Sequence, residues 1–275
     1  MNIAVTSSEQ TPAPAGSFAG RLSAYKAWRD VITAAIDTYR EFLASHEEFP
    51  LADNDFLDRL SAALDSDKLT LAVVGEFSRG KTDLLNALFF SDFDQRLLPT
   101  SAGRTTMCPT ELRYDEREGA HIRLLPIETR KTPITISEYR KSPLHWKLVH
   151  ILRPNSADDL RQAFLEVTKT KRVHVREAQE LGLYDPGSTD PGQPHVVDDM
   201  VEVPLWRHAI VNFPHPLLRQ GLVILDTPGL NALGAEPELT LSMLPSADAV
   251  LFLLGAETGV TRSDLEVWKN HVCQS

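Results

Sequence analysis

The period of the apolar positions changes several times along the chain, and each change predicts a different element. From Phe18 onward they recur at Phe18, Leu22, Tyr25, Ile32, Ile36, Tyr39 and Leu43, with His46 continuing the register. A spacing near 3.5 residues predicts a bundle-type helix roughly 40 Å long at about 1.5 Å per residue. Pro50 ends it, and a short helix capped at Asp53 or Asn54 follows, with Phe56, Leu57, Leu60, Ala63 and Leu64 on one face. The run Leu69, Leu71, Ala72, Val73, Val74 then predicts a buried strand, and Leu84, Leu85, Leu88 and Phe89 the buried stripe of a helix. Next come a strand at Glu111 to Tyr114, a turn at Glu118 and Gly119, and a second strand at His121 to Leu125, together a hairpin.

Residues 127–200 are less regular. Ser156 and Asp159 form a capping-box-like start to a helix carrying Leu160, Phe164 and Val167, and a further helix is predicted over Val173 to Leu183. Tyr184 to Asp199 reads as a polar proline and glycine loop. Regularity returns with a strand-like stretch from Val201 to Phe213 and the buried run Gly221 to Leu225. A helix from Glu236 to Leu244, a strand from Ala249 to Leu254 and a helix starting near Ser263 complete the pattern. The alternation of strand and helix after Leu69 predicts an α/β fold with a mainly parallel sheet, preceded by an N-terminal helical segment. The expected organisation is a disordered tail over 1–17, helices over 18–67, and an α/β domain over 68–275 with a helical insertion at about 127–200.

Composition narrows the classes. With 275 residues and 42% hydrophobic content the chain can bury a sizeable core. A net charge of -10 argues against broad phosphate-backbone binding, so nucleic acid is not an expected partner. No apolar run of about 18 residues spans a bilayer. The first residues lack the basic start and apolar core of a secretory signal, so a cytoplasmic protein is expected. Cys108 and Cys273 form no CxxC pair, and the nine histidines show neither HExxH nor i, i+4 pairing.

The candidate chemistry begins directly behind the first strand. Gly75, Glu76, Phe77, Ser78, Arg79, Gly80, Lys81, Thr82 spell GxxxxGK[ST], the P-loop. In that loop backbone N–H groups turn inward to cradle phosphate at the positive end of the following helix. Gly75 and Gly80 allow close backbone approach, Lys81 reaches the β and γ phosphates, and the Thr82 hydroxyl binds Mg²⁺. Asp226, Thr227, Pro228, Gly229 stand at the end of a buried run about 145 residues later. A carboxylate there holds Mg²⁺, usually through water, and the DxxG glycine offers its N–H to the γ-phosphate. Between them, the hydroxyl-rich loop Leu97 to Leu112 offers Thr105, Thr106 and Thr110 as candidates to complete the metal shell.

These residues resemble the dynamin-like GTPases, particularly their bacterial members. The matching pieces are VVGEFSRGKTDLLNALF, LPTSAGRTTMCPTEL, and HPLLRQGLVILDTPGLN followed by ADAVLFLL, which together cover most of Leu69 to Leu254. The resemblance implies a GTP hydrolase of the P-loop NTPase fold, with Mg²⁺ as cofactor and a homodimer formed through the nucleotide face. It further implies action on membranes or assemblies through regions outside this chain, at a cytoplasmic or membrane-peripheral location. It assigns Thr106 as the switch threonine and metal ligand and Ser78 as the residue associated with a monovalent cation, K⁺ or Na⁺. It also relates the N-terminal helix to a stalk or neck bundle.

Three departures stand out. Phe77 and Arg79 occupy loop positions that many relatives fill differently, the 127–200 segment is long, and the base-reading NKxD or TKxD motif is expected beyond Ser275. An incomplete GTPase domain is therefore expected, and two alternatives stay open: an ATP-using relative, or a non-catalytic nucleotide-regulated interaction module. Leu230, after DxxG, cannot orient water. The resemblance therefore assigns catalysis to Thr106, Ser78 and Gly229, and Arg104 is a candidate arginine finger in cis.

Overall fold

The computed structural model describes residues 17–45, 57, 61, 64, 68–75, 79–93, 96–98, 108–187, 194–227, 244 and 247–269. The chain divides into two compact units, residues 1–68 and 69–275. The first is built on helix α1, Phe18–Ala44, whose N-cap Ser17 accepts a hydrogen bond from Gly20 N at 3.0 Å. Of the stripe read from the sequence, Leu22, Ile36 and Leu43 are buried, and Ile36 and Leu43 cluster with Leu57. Phe18, Tyr25 and Tyr39 are instead exposed, with Tyr25 stacked on Trp28 and Tyr39 on Phe42. The second predicted helix falls mostly outside the described residues; Leu57, Ser61 and Leu64 of it are helical.

The second unit is an α/β fold around a seven-stranded sheet. Its strands are β1 (Leu69–Val74), β2 (Thr110–Arg113), β3 (His121–Pro126), β4 (Lys147–His150), β8 (Trp206–Asn212), β9 (Leu222–Asp226) and β10 (Ala249–Phe252), in the order β10-β1-β9-β2-β8-β3-β4. The pairs β1–β10, β1–β9 and β2–β8 are parallel, which makes the half that carries the P-loop a parallel sheet. The pairs β2–β9, β3–β8 and β3–β4 are antiparallel.

The expected hairpin of β2 and β3 does not form, because β8 lies between them. All seven residues of β8 are buried, so it takes a central position that a strand half open to water would not need. The single strand expected over Val201 to Phe213 is two strands. β7, Met200–Pro204, joins a small sheet, and β8, beyond Leu205, joins the large one.

The small sheet has the order β5-β7-β6, with β5 at Thr170–His174 and β6 at Val196–Val197. Asp198 and Asp199 join β6 to β7 at φ 52 and 56, the left-handed backbone of a tight two-residue hairpin. The stretch at about 127–200, expected as a helical insertion, is mixed rather than all helical among the described residues. It holds the short helices α3 (Ile136–Arg140), α4 (Ala157–Val167) and α5 (Val175–Glu180) alongside the strands β4, β5, β6 and β7. Ile127, Val173, Ala178, Leu181, Leu183, Val201 and Val203 give this stretch its own core.

Helix α2, Lys81–Phe89, follows β1. At its end, Phe90 packs against Phe164 of α4 and Phe213, with ring centroids 5.4 and 5.3 Å apart, which fixes α4 beside the P-loop helix. The predicted helix over Glu236 to Leu244 lies outside the described residues, apart from Leu244. The last helix, α6 (Arg262–Val267), starts at the N-cap Thr261.

Candidate functional site

The site is assembled at the carboxyl ends of β1 and β9. Both strands are buried where they end, so their last residues open onto the edge of the sheet with little room between them. Gly75 follows β1 directly. A Cβ there would meet Leu253 O at 2.7 Å, so only glycine lets the loop leave the strand at this point. Gly80 caps α2 in the left-handed region, φ 81, which turns the chain sharply into the helix. The α2 N-terminus is thereby aimed at the loop, with its dipole and its first N–H groups available to an anion.

Lys81 and Thr82 are both buried in the first turn of α2. Lys81 Nζ donates to Gly75 O at 2.6 Å, so the ammonium bridges the loop from end to end. Asp226 ends β9 in parallel register with Val73 and is 3% exposed. The next side chain, Thr227, donates its hydroxyl to Val73 O at 2.8 Å and ties the two strand ends together. A cavity of about 30 Å³, room for about one water, lies between Thr82 and Asp226, with Thr110 and Cys108 on its wall. The structure thus brings Gly75, Gly80, Lys81, Thr82 and Asp226 together. Thr82 and Asp226 reach this space among the apolar side chains of Leu85, Leu112 and Phe164; a hydroxyl and a carboxylate are hard oxygen donors that suit Mg²⁺, and the glycine loop at a helix N-terminus suits phosphate.

Thr110 enters β2 opposite Asp226 in the antiparallel register, but its hydroxyl donates inward to Cys108 O at 3.1 Å. Arg104, Thr105, Thr106, Glu76, Phe77, Ser78 and Gly229 lie outside the described residues. Arg79 is described, and its side chain leaves the loop: the guanidinium lies 3.7 Å from Asp264 and donates to Thr258 Oγ1.

Asn86 has a role that the apolar-stripe reading of α2 passed over. It is buried on α2, where its Oδ1 accepts from Leu97 N at 3.0 Å and Leu98 N at 2.8 Å, and its Nδ2 donates to Leu98 O at 2.9 Å. One amide side chain thus fixes the root of the loop that leads to Thr106 onto the helix that carries Lys81 and Thr82. The signal available in the sequence was a polar residue next to Leu85, inside the buried stripe.

A strand, a glycine loop and a helix beside a second strand that ends in aspartate define a P-loop domain of the α/β class. A sequence profile of the dynamin family matches residues 71–274, and the chain belongs to that family of GTPases. Among characterised relatives, the bacterial dynamin-like protein of Nostoc punctiforme is 25% identical over 206 residues, 74% of this chain and 22% of that protein. The isoniazid-induced protein IniA of Mycobacterium tuberculosis is 47% identical over 60 residues, 21% of this chain and 9% of IniA. The chain therefore spans about a fifth or less of the length of the curated relatives it matches. Two solved structures of an oligomerised bacterial dynamin pair, described as a mechanism for long-range sensing and tethering of membranes, align with TM-scores of 0.47 and 0.45. Identities are 15% and 16%, over 89% and 88% of this chain and 36% and 35% of those chains.

Proposed function

We propose that this chain binds GTP with Mg²⁺ and hydrolyses it to GDP and inorganic phosphate. The observation that carries the reading is the burial of Lys81, Thr82 and Asp226 side by side at the carboxyl edge of two parallel strands. Their placement sets a cation suited to phosphate and a carboxylate suited to a metal ion at the same end of the sheet, which is what a magnesium nucleotide requires. In this reading the loop from Gly75 to Gly80, including Glu76, Phe77, Ser78 and Arg79, offers backbone N–H groups to the phosphates. Lys81 binds the β and γ phosphates. Thr82, Thr106 and Asp226 would hold Mg²⁺, which would supply charge neutralisation at the phosphate oxygens.

Hydrolysis requires water in line with the γ-phosphorus and the bridging oxygen that leaves with GDP. Leu230 offers no group to hold that water. The Thr106 and Gly229 backbone and Ser78, with K⁺ or Na⁺, take over its placement, and Arg104 supplies charge in cis. Turnover is coupled to homodimerisation through the nucleotide face and to remodelling of membranes or assemblies, at a cytoplasmic or membrane-peripheral location. Membership of the dynamin family supports that coupling. The organisation proposed is a helical segment over 18–67 and a GTPase domain over 68–275.

Phosphate release measured with GTP and Mg²⁺ tests the reading. Release that ceases in Asp226→Asn and in the wild type after chelation is the expected result; release unaffected by Asp226→Asn would overturn the metal assignment. Turnover unchanged by Arg104→Ala would remove that residue from the mechanism.

A further inference from the structure

We infer that Arg79 is a positioning residue, a latch that holds the phosphate loop to the segment following β10, rather than a ligand of the phosphates. The inference rests on the nucleotide-site reading above and adds to it a route by which the segment 253–264 sets the shape of the loop.

An arginine one residue before the Gly80–Lys81 pair would ordinarily be drawn to the phosphates as a second positive charge. Its guanidinium instead turns to Asp264, 3.7 Å away, in a pair whose side chains are only 11% and 1% exposed, and donates to Thr258 Oγ1. Asp264 is itself immobilised. As the third residue of α6 it completes a capping box, accepting from Thr261 N and Thr261 Oγ1, each at 2.9 Å.

The receiving segment is shaped for the arginine. Gly255 and Gly259 close a tight turn, with Gly259 N donating to Gly255 O at 2.9 Å. A Cβ on Gly255 would stand 1.9 Å from Arg79 Nη1, so the guanidinium fills the space that the missing side chain leaves.

The other end of the phosphate loop is held by the same segment. Leu253 N donates to Val74 O at 2.7 Å, and Leu253 O presses on Gly75 closely enough to exclude a side chain. Gly75 and Arg79 thus bracket the loop, and both are fastened to residues 253–264. The buried aspartate also cancels the arginine's charge, which leaves Lys81 as the cation directed at the phosphates.

Three variants test the latch: Arg79→Met, Asp264→Asn and their double. Gly255→Ala serves as a fourth, displacing the guanidinium while both charges and the capping box remain. Fluorescent GDP and GTP are titrated against each, and amide exchange at Gly80, Lys81 and Thr82 is followed in the nucleotide-free protein. The latch predicts that each single change weakens GDP and GTP equally, by about five- to fiftyfold, and that the double is no weaker than either single. Exchange at the three amides accelerates in all four variants. Weaker GTP with unchanged GDP in Arg79→Met, or tighter GTP in Asp264→Asn, would make Arg79 a γ-phosphate ligand and overturn the latch. Losses that multiply in the double would also overturn it. If the wild type binds neither nucleotide, the nucleotide reading fails, and the exchange experiment alone decides the latch: unchanged rates overturn it.

Discussion

At the scale of single residues, the polar groups inside the second unit divide into those that are fully engaged and those that are not. Asn86 is the engaged case. Its replacement by alanine leaves two N–H groups and one carbonyl of Leu97 and Leu98 without their partner in a buried position, a loss expected to cost roughly 2–4 kcal/mol. Denaturant unfolding of Asn86→Ala measures it, and an unchanged midpoint would contradict the anchoring role.

His208 is the opposite case. It is fully buried on β8, neither ring nitrogen has a hydrogen-bond partner among the described residues, and the Trp146 ring lies 6.2 Å away. Burial first, then the charges of Arg140 and Arg207, hold its pKa well below 6.5. The folded state therefore stays neutral where the unfolded chain takes up a proton. The resulting stability is present above pH 6.5 and is lost as pH falls below it, by up to about 1.4 kcal/mol per unit. His208→Phe, which keeps the ring, is expected to flatten the fall measured between neutral and mildly acidic pH. His121, lowered chiefly by its own burial, keeps a separate share of the slope. An identical slope in wild type and variant would rule His208 out as its source.

At the scale of elements, what the sequence made legible was local. The strand β1, the glycine loop and α2 follow one another without interruption, and each has a short-range signal: an apolar run, a glycine spacing and an amphipathic stripe. β9 could be read for the same reason, since five apolar or small residues lead directly into Asp226. The hairpin reading of β2 and β3 failed because their true neighbour, β8, is more than 80 residues further on, and a strand's partners are not written in its own period. The strands β4 and β5 were missed because their apolar positions follow no strand period. β4 is mostly exposed, and of the five residues of β5 only Val173 is buried, so neither shows the alternation of a half-buried strand.

Helix α4, by contrast, was legible from its cap and stripe, and the structure gives it a consequence for the site. Phe164 is buried against Phe90 and also lines the cavity beside Thr82 and Asp226. Phe164→Ala is expected to destabilise by about 3–5 kcal/mol through the void it leaves. It should also weaken Mg²⁺-dependent nucleotide binding, which calorimetry on the same variant would measure. A full-strength magnesium dependence in that variant would separate the packing of α4 from the site.

At the scale of the whole molecule, the chain is two units, and every described residue of the candidate site belongs to the second. A chain beginning at Lys68 is accordingly expected to keep GTP affinity within about twofold of the full chain, because changes to groups that share no partners add independently. A large loss would place part of the site in the first unit. No helix among the described residues is long and apolar enough to cross a membrane. The central claim is that Lys81, Thr82 and Asp226 form a magnesium nucleotide site. Equilibrium titration of fluorescent GTP in the presence of Mg²⁺, on the wild type and on Lys81→Ala, tests it most directly. Saturable binding by the wild type, stronger for GTP than for ATP and absent in Lys81→Ala, is the predicted result. Binding that survives Lys81→Ala unchanged, or no binding by the wild type, would contradict it.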